Sequence, residues 1–179
     1  ARYAHGTVMA NGYVYVIGGE GPVATVYYAK LNADGTLGTW NTNANALPTG
    51  RRYVCSIAAN GYVYTFGSFD GTQVYYAKLN ANGSTGTWST NANPLPSTLY
   101  YVGAVARNGY VYILGGAIAG TAQTTVYYAK LNADGSTGTW NTNPNALPGA
   151  RYDLSTVTAN GYVYAIGGLS TVDNSTVYY

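Results

Sequence analysis

The stretch "NGYVY" occurs four times, from Asn11, Asn60, Asn108 and Asn160, and the spacings between these asparagines are 49, 48 and 52 residues. Two other series keep the same phase. The tryptophans of "GTW" are Trp40, Trp88 and Trp140, and "VYY" begins at Val26, Val74, Val126 and Val177. A repeat of about 50 residues narrows the choice of fold sharply. Each unit is one supersecondary element that cannot bury its apolar surface alone, so copies must stack on copies.

Within unit one the pattern predicts short strands over 4–10, 12–18, 24–32 and 38–43. Asn-Gly joins the first pair, because both residues tolerate the positive φ of a two-residue hairpin turn. "NADG" turns the third strand into the fourth, and Pro48, Pro96 and Pro148 stop further ladder pairing. No segment carries useful helical periodicity. The strand "YVYVI" is apolar on both faces, with Tyr13, Tyr15 and Ile17 on one and Val14 and Val16 on the other. A sheet with one wet face would alternate apolar and polar residues. These sheets must be covered on both sides, which predicts an all-β propeller of four-stranded antiparallel blades. The chain is expected to form one propeller region over 1–179, with blades near 1–48, 49–96, 97–148 and 149–179.

Composition excludes several classes. Charged residues are only 8% of the chain and the net charge is +2 with no basic run, so nucleic acid is not an expected partner. No apolar run approaches the length of about 18 residues that a membrane helix needs, so insertion is not expected. Cys55 is the only cysteine and His5 the only histidine, which leaves no disulfide and too few soft ligands for a zinc or copper site. "NADGT" holds a single carboxylate, too few for a calcium loop. "GGEGP" precedes a strand and lacks the lysine of a phosphate loop. Lys30, Lys78 and Lys130 repeat on the third strand and read as solvated charges. No cofactor is expected.

The double glycines Gly18-Gly19, Gly115-Gly116 and Gly167-Gly168, the tyrosine of "VYY", the later tryptophan and "LP" followed by Arg and an aromatic together resemble the kelch repeat. The opening "ARYAHG" resembles that family's Arg-x-x-His stretch. The second glycine of unit two is Ser68, and the interval from Tyr28 to Trp40 is longer than the kelch spacing. The resemblance implies a ring of about six or seven blades. Unit four lacks a fourth strand, giving about 3.75 blades. Three assemblies would cover the bare ends: a longer chain, two arcs closing a ring, or four blades closing on themselves. The first is favoured, then the second, so other blades are the expected partners.

Variation points to one face of the disc. The first and third turns of the units are nearly uniform. The connections "EGPVA", "FDGTQ", "AIAGTAQT" and "LSTVDNS", and those ending "TGRRY", "STLYY" and "GARYD", differ and share the opposite face. Variable loops on a rigid scaffold are where binding residues lie. The kelch resemblance implies that arginines at the start of the innermost strand line the channel mouth. Here these are Arg2, Arg51, Arg52 and Arg151, with Tyr3, Tyr53, Tyr100, Tyr101, Tyr152 and Asp153 beside them. Arginine forks suit anionic or hydroxyl-rich groups, and tyrosine faces suit sugars or peptide side chains. The competing reading is that each arginine ties down its own loop. The expected function is a non-catalytic binding or adhesion module for a glycan or peptide, extracellular or at a cell surface. The alternatives are a ligand-free, self-assembling scaffold, natural or engineered, and a fragment of a propeller enzyme acting on sugars.

Overall fold

The computed structural model describes residues 1–179, which form β-strands joined by turns and irregular loops, with no helix. Four antiparallel sheets follow one another along the chain. The first is β1 (Gly6–Ala10), β2 (Tyr13–Ile17), β3 (Val26–Lys30) and β4 (Asn41–Thr42). The second is β5 (Cys55–Ala59), β6 (Tyr62–Phe66), β7 (Tyr75–Lys78) and β8 (Ser89–Thr90). The third is β9 (Gly103–Arg107), β10 (Tyr110–Leu114), β13 (Val126–Lys130) and β14 (Asn141–Thr142). The fourth has three strands, β15 (Ser155–Ala159), β16 (Tyr162–Ile166) and β17 (Val177–Tyr178). The innermost strands pack side by side, β1 on β5, β5 on β9 and β9 on β15. This is a four-bladed β-propeller arrangement.

The Asn-Gly turns behave as their sequence dictates. Ala10 pairs with Tyr13 across Asn11 and Gly12, whose φ values are 50° and 77°, and the other three turns repeat this. The outermost strands are shorter than the sequence suggests, two ladder residues each. The hairpin before them is held instead by a bridge such as Leu31 to Leu37 and by Asp34, which accepts hydrogen bonds from the backbone and hydroxyl of Thr36. Those bonds hold the Asp34 carboxyl below its usual pKa. One hairpin was not legible: "AIAGTA" forms β11 (Ala117–Ile118) and β12 (Thr121–Ala122), with Ala119 and Gly120 both at positive φ.

The two-sided burial inferred from "YVY" is present. In β6, Val63, Tyr64 and Phe66 are fully buried although they alternate between faces. Tyr15, Ile17 and Val26 of the first sheet pack on Val63, Tyr75, Ala77 and Trp88 of the second, and the next seam repeats this with Tyr64, Phe66 and Val74 against Val111, Ile113 and Trp140. At about 25 cal/mol per Å² of apolar area removed from water, these seams are the main term holding one sheet to the next.

The double glycine has a concrete reason at Gly18 and Gly115. A Cβ there would sit 2.7 Å from the carbonyl oxygen of Arg51 at Gly18, and closer still to that of Arg151 at Gly115. The close approach lets Gly19 and Gly116 donate backbone hydrogen bonds to those carbonyls, at 2.7 and 2.9 Å. Ser68 makes the same bond to Leu99 from its backbone and turns its side chain toward Asp70, which is how unit two departs from the double glycine without losing the contact.

Candidate functional site

The variable connections do gather on one face, as bridges from Val23 to Arg51, Tyr100 to Ala117, Gln123 to Arg151 and Tyr152 to Leu169 show. At the centre of that face lies a cavity of about 480 Å³. It opens over the first residues of β1 and β5 and over the residues that lead into β9 and β15.

Four equivalent residues define its rim: Ala4, Tyr53, Tyr101 and Asp153. Each is a non-glycine residue in the left-handed region, with φ of 57°, 57°, 55° and 54°. This conformation costs an L-residue roughly 1–2 kcal/mol. What offsets the cost is a series of backbone hydrogen bonds from blade to blade. Tyr53 donates to the Ala4 carbonyl at 2.8 Å, Tyr101 to the Tyr53 carbonyl at 3.1 Å, and Asp153 to the Tyr101 carbonyl at 2.8 Å. All four residues line the cavity, together with Tyr3 and His5. The strained backbone and the site therefore coincide.

The aromatic residues form one continuous surface. Tyr53 lies 4.6 Å from Tyr101 between ring centroids, Tyr101 lies 5.9 Å from Tyr152, and Tyr100 bridges Tyr53 and Phe69. Tyr100 is outside the cavity, where its hydroxyl accepts a hydrogen bond from the Gly120 backbone. Phe69, which sequence reasoning missed because unit two alone has it, stands about half exposed beside this cluster. Burial, and then the neighbouring Tyr53 and Asp153, push the Tyr101 phenol up to about 12, and burial also raises that of Tyr53. Both stay neutral donors and acceptors at ordinary pH. Burial, then the nearby Arg2 charge, lower the pKa of His5. Its Nδ1 is buried without a partner, as is Ser56 Oγ at the same cavity. Cys55 lines the cavity too, but burial pushes its thiol up to about 11, which leaves little thiolate for nucleophilic chemistry near neutrality.

The arginines are placed differently from what the resemblance implies. Arg51 and Arg151 are 2% and 1% exposed. Each lies over the tyrosine of the third strand of its own sheet, at 4.6 Å from Tyr75 and 3.9 Å from Tyr178. Arg51 donates to the Gln73 side chain and the Tyr75 hydroxyl, and Arg151 to the carbonyls of Gly167 and Thr176. Arg2 repeats the pattern over Tyr27, donating to the Gly18 and Thr25 carbonyls. A guanidinium stacked on a ring and bonded to loop carbonyls, or in Arg51 to the Gln73 side chain, fastens the connection between second and third strands. The mouth itself carries none of these three charges. Arg52 is half-buried and points outward, paired with Glu20 at 2.9 Å and Asp70 at 3.4 Å, over the ring of Phe69. Leu99 fills the corresponding slot in the third sheet, fully buried.

The site is therefore an aromatic, hydrogen-bonding concavity with one rim carboxylate, Asp153. No protein-family model matches the chain, and no curated protein does. A solved structure described as "Structure of YjhT" superimposes on 93% of the chain with a TM-score of 0.73 and 15% sequence identity. The chain spans 58% of that structure's length. The likeness concerns the fold.

Proposed function

We propose that this chain is a non-catalytic binding module of the kelch type, which seats a glycan or an aromatic peptide segment in the cavity ringed by Tyr3, Tyr53, Tyr101 and Asp153. The observation that carries this reading is the recurrence of a left-handed residue at the same position of every blade, aimed into the cavity by blade-to-blade hydrogen bonds. A fold under no demand at that position would place glycine there. Tyrosine rings offer flat apolar area with a hydroxyl at the edge, which matches the face of a sugar ring or a planar side chain. The Asp153 carboxylate would accept from ligand hydroxyls. The module is read as extracellular or at a cell surface, since Asn, Thr and Gly rather than charge supply its polarity.

The test is a glycan array and a peptide library probed with the whole chain, then with Tyr53→Ala and Tyr101→Ala. Ligands found with the unaltered chain should lose about tenfold or more in affinity in each variant, while cooperative thermal unfolding persists. A ligand indifferent to both tyrosines removes this site from consideration.

A second reading, a scaffold whose only partners are further blades, is favoured by the end faces. Trp40 and Leu37 on the first sheet and Tyr162 and Val177 on the fourth are 46%, 42%, 56% and 50% exposed. Empty arrays together with a solution mass above the 18.8 kDa of one chain would favour it.

A further inference from the structure

The sequence contains five Asn-Gly pairs, and the fold places one of them differently from the rest. Asn11, Asn60, Asn108 and Asn160 occupy two-residue hairpin turns at φ of 50°, 50°, 53° and 50°, each closed at once by a full ladder such as that of Ala10 and Tyr13. Asn82 lies instead in the longer turn between Leu79 and Thr85, which a single bridge closes. Its side-chain Oδ1 accepts two hydrogen bonds, from the Ser84 amide at 3.1 Å and the Ser84 hydroxyl at 2.7 Å. Ser84 Oγ is fixed in turn by the Asn80 side chain, which donates to it at 2.9 Å. Gly83 has a φ of 84° and lies against the Tyr13 ring of the first sheet, which an added Cβ would overlap. Conformation and space both require glycine after Asn82.

The other units show what this slot holds. Asp34 and Asp134 stand where unit two has Asn82. They accept the same pair of bonds, Asp34 from Thr36 at 2.9 and 2.6 Å and Asp134 from Ser136 at 2.9 and 2.7 Å. The backbone matches as well: Gly35, Gly83 and Gly135 each donate to the asparagine three residues earlier at 3.1 Å. The side-chain and backbone bonds from Thr36 and Ser136 lower the pKa of both carboxyls. A cradle that lowers a carboxyl pKa stabilises negative charge on the oxygen it holds. At Asn82 that oxygen belongs to a neutral amide.

We infer that Asn82 is a site of spontaneous deamidation, where the Ser84 cradle acts as an oxyanion hole and converts the turn of unit two into the aspartate form already present in units one and three. The Gly83 nitrogen attacks Cγ of Asn82, its proton passes through solvent to Nδ2, and the Cγ–Nδ2 bond breaks to release ammonia. The intermediate is a five-membered cyclic imide. Water then adds at Cγ, breaks the bond from Cγ to the Gly83 nitrogen and returns a proton to that nitrogen. An amide and one water become a carboxylate and an ammonium ion, with nothing oxidised or reduced. Negative charge develops at Oδ1 in both steps, and the Ser84 donors already point there. The cradle also directs the ring opening. Attack at the main-chain carbonyl would give isoaspartate, which inserts a methylene into a backbone held between the Leu79–Thr85 bridge and the Tyr13 ring. The Gly83 amide must leave the Asn80 carbonyl before its nitrogen attacks, so the conversion is slow. It lowers the net charge of +2 by one and sets the new carboxylate at the seam between the first two sheets.

The experiment holds the whole chain at mildly alkaline pH and body temperature and maps its peptides over time by mass spectrometry, with isoaspartate separated from aspartate. Asn82 should convert about tenfold or more faster than any of the other four asparagines, with aspartate as the main product. Ser84→Ala removes the hydroxyl donor and keeps the backbone one, and should slow the conversion about tenfold. Ser84→Thr supplies a hydroxyl as Thr36 does for Asp34, and should restore it. In urea the advantage of Asn82 should vanish. Asn82→Asp should melt no lower than the unaltered chain, because its carboxylate accepts charge-assisted bonds in the same cradle. Conversion at Asn82 no faster than at the hairpin asparagines, a preference that survives unfolding, or a Ser84→Ala chain that converts as fast as the unaltered one overturns the proposal. A lowered melting temperature for Asn82→Asp does so as well, since the slot would then reject the product.

Discussion

Trp40 and Trp140 stand in the same strand of the same repeat, yet one is 46% exposed and the other 8%. Their local sequences, "GTWNTN", are identical. What differs is the sheet on the other side. Trp140 has Phe66 and the Asn93 carbonyl to meet, and Trp40 has nothing. The unit encodes its own strands, but the neighbour decides whether a side chain is core or surface. This is how stability is distributed in a stack of repeats, with each interface a separate term.

The largest test of that contrast is truncation of the two indoles. Trp140→Ala should lower the unfolding free energy by about 3–5 kcal/mol, whereas Trp40→Ala should change it by about 0.5 kcal/mol or less; urea titration of both decides. Equal losses would mean that Trp40 is covered in solution. The asparagines sharpen the same comparison at lower amplitude. Asn91→Ala strands the buried Thr137 hydroxyl and should cost about 1–3 kcal/mol, while Asn143→Ala, whose amide oxygen accepts only an exposed bond from the Asn145 backbone and whose NH2 meets no side chain, should cost about 0.5 kcal/mol. The smallest effect contrasts the rim with a strand. Ala4→Gly relieves a left-handed alanine and should gain about 0.5 kcal/mol, after the entropic cost of glycine is subtracted. Ala106→Gly in β9 has no strain to relieve and should lose about 0.5–1 kcal/mol.

Much of the fold was legible because its signals are local. Asn-Gly specifies a tight hairpin through backbone preference alone, and the two-faced apolar strands demand cover on both sides. The site was legible in part. The variable face was visible as loop variation, and of the five tyrosines expected there Tyr3, Tyr53 and Tyr101 line the cavity while Tyr100 and Tyr152 lie beside it. The fate of Arg2, Arg51 and Arg151 was not legible, because it depends on a tyrosine ring and on acceptors (loop carbonyls for Arg2 and Arg151, the Gln73 side chain and Tyr75 hydroxyl for Arg51) that are 16 to 25 residues away in the chain. Nor could the left-handed Tyr53 and Tyr101 be anticipated, since intrinsic preference reserves that conformation for Gly, Asn and Asp, and only the carbonyl of the preceding blade holds them there. The β11–β12 hairpin escaped notice for a related reason: Ala119-Gly120 is a weaker turn signal than Asn-Gly.

The left-handed rim has a mechanical consequence. Tyr53, Tyr101 and Asp153 each hang by their backbone amide on the carbonyl of the blade before, so a displacement of one inner strand is handed to the next, and the inner ends of the sheets move together as a collar instead of as separate tips.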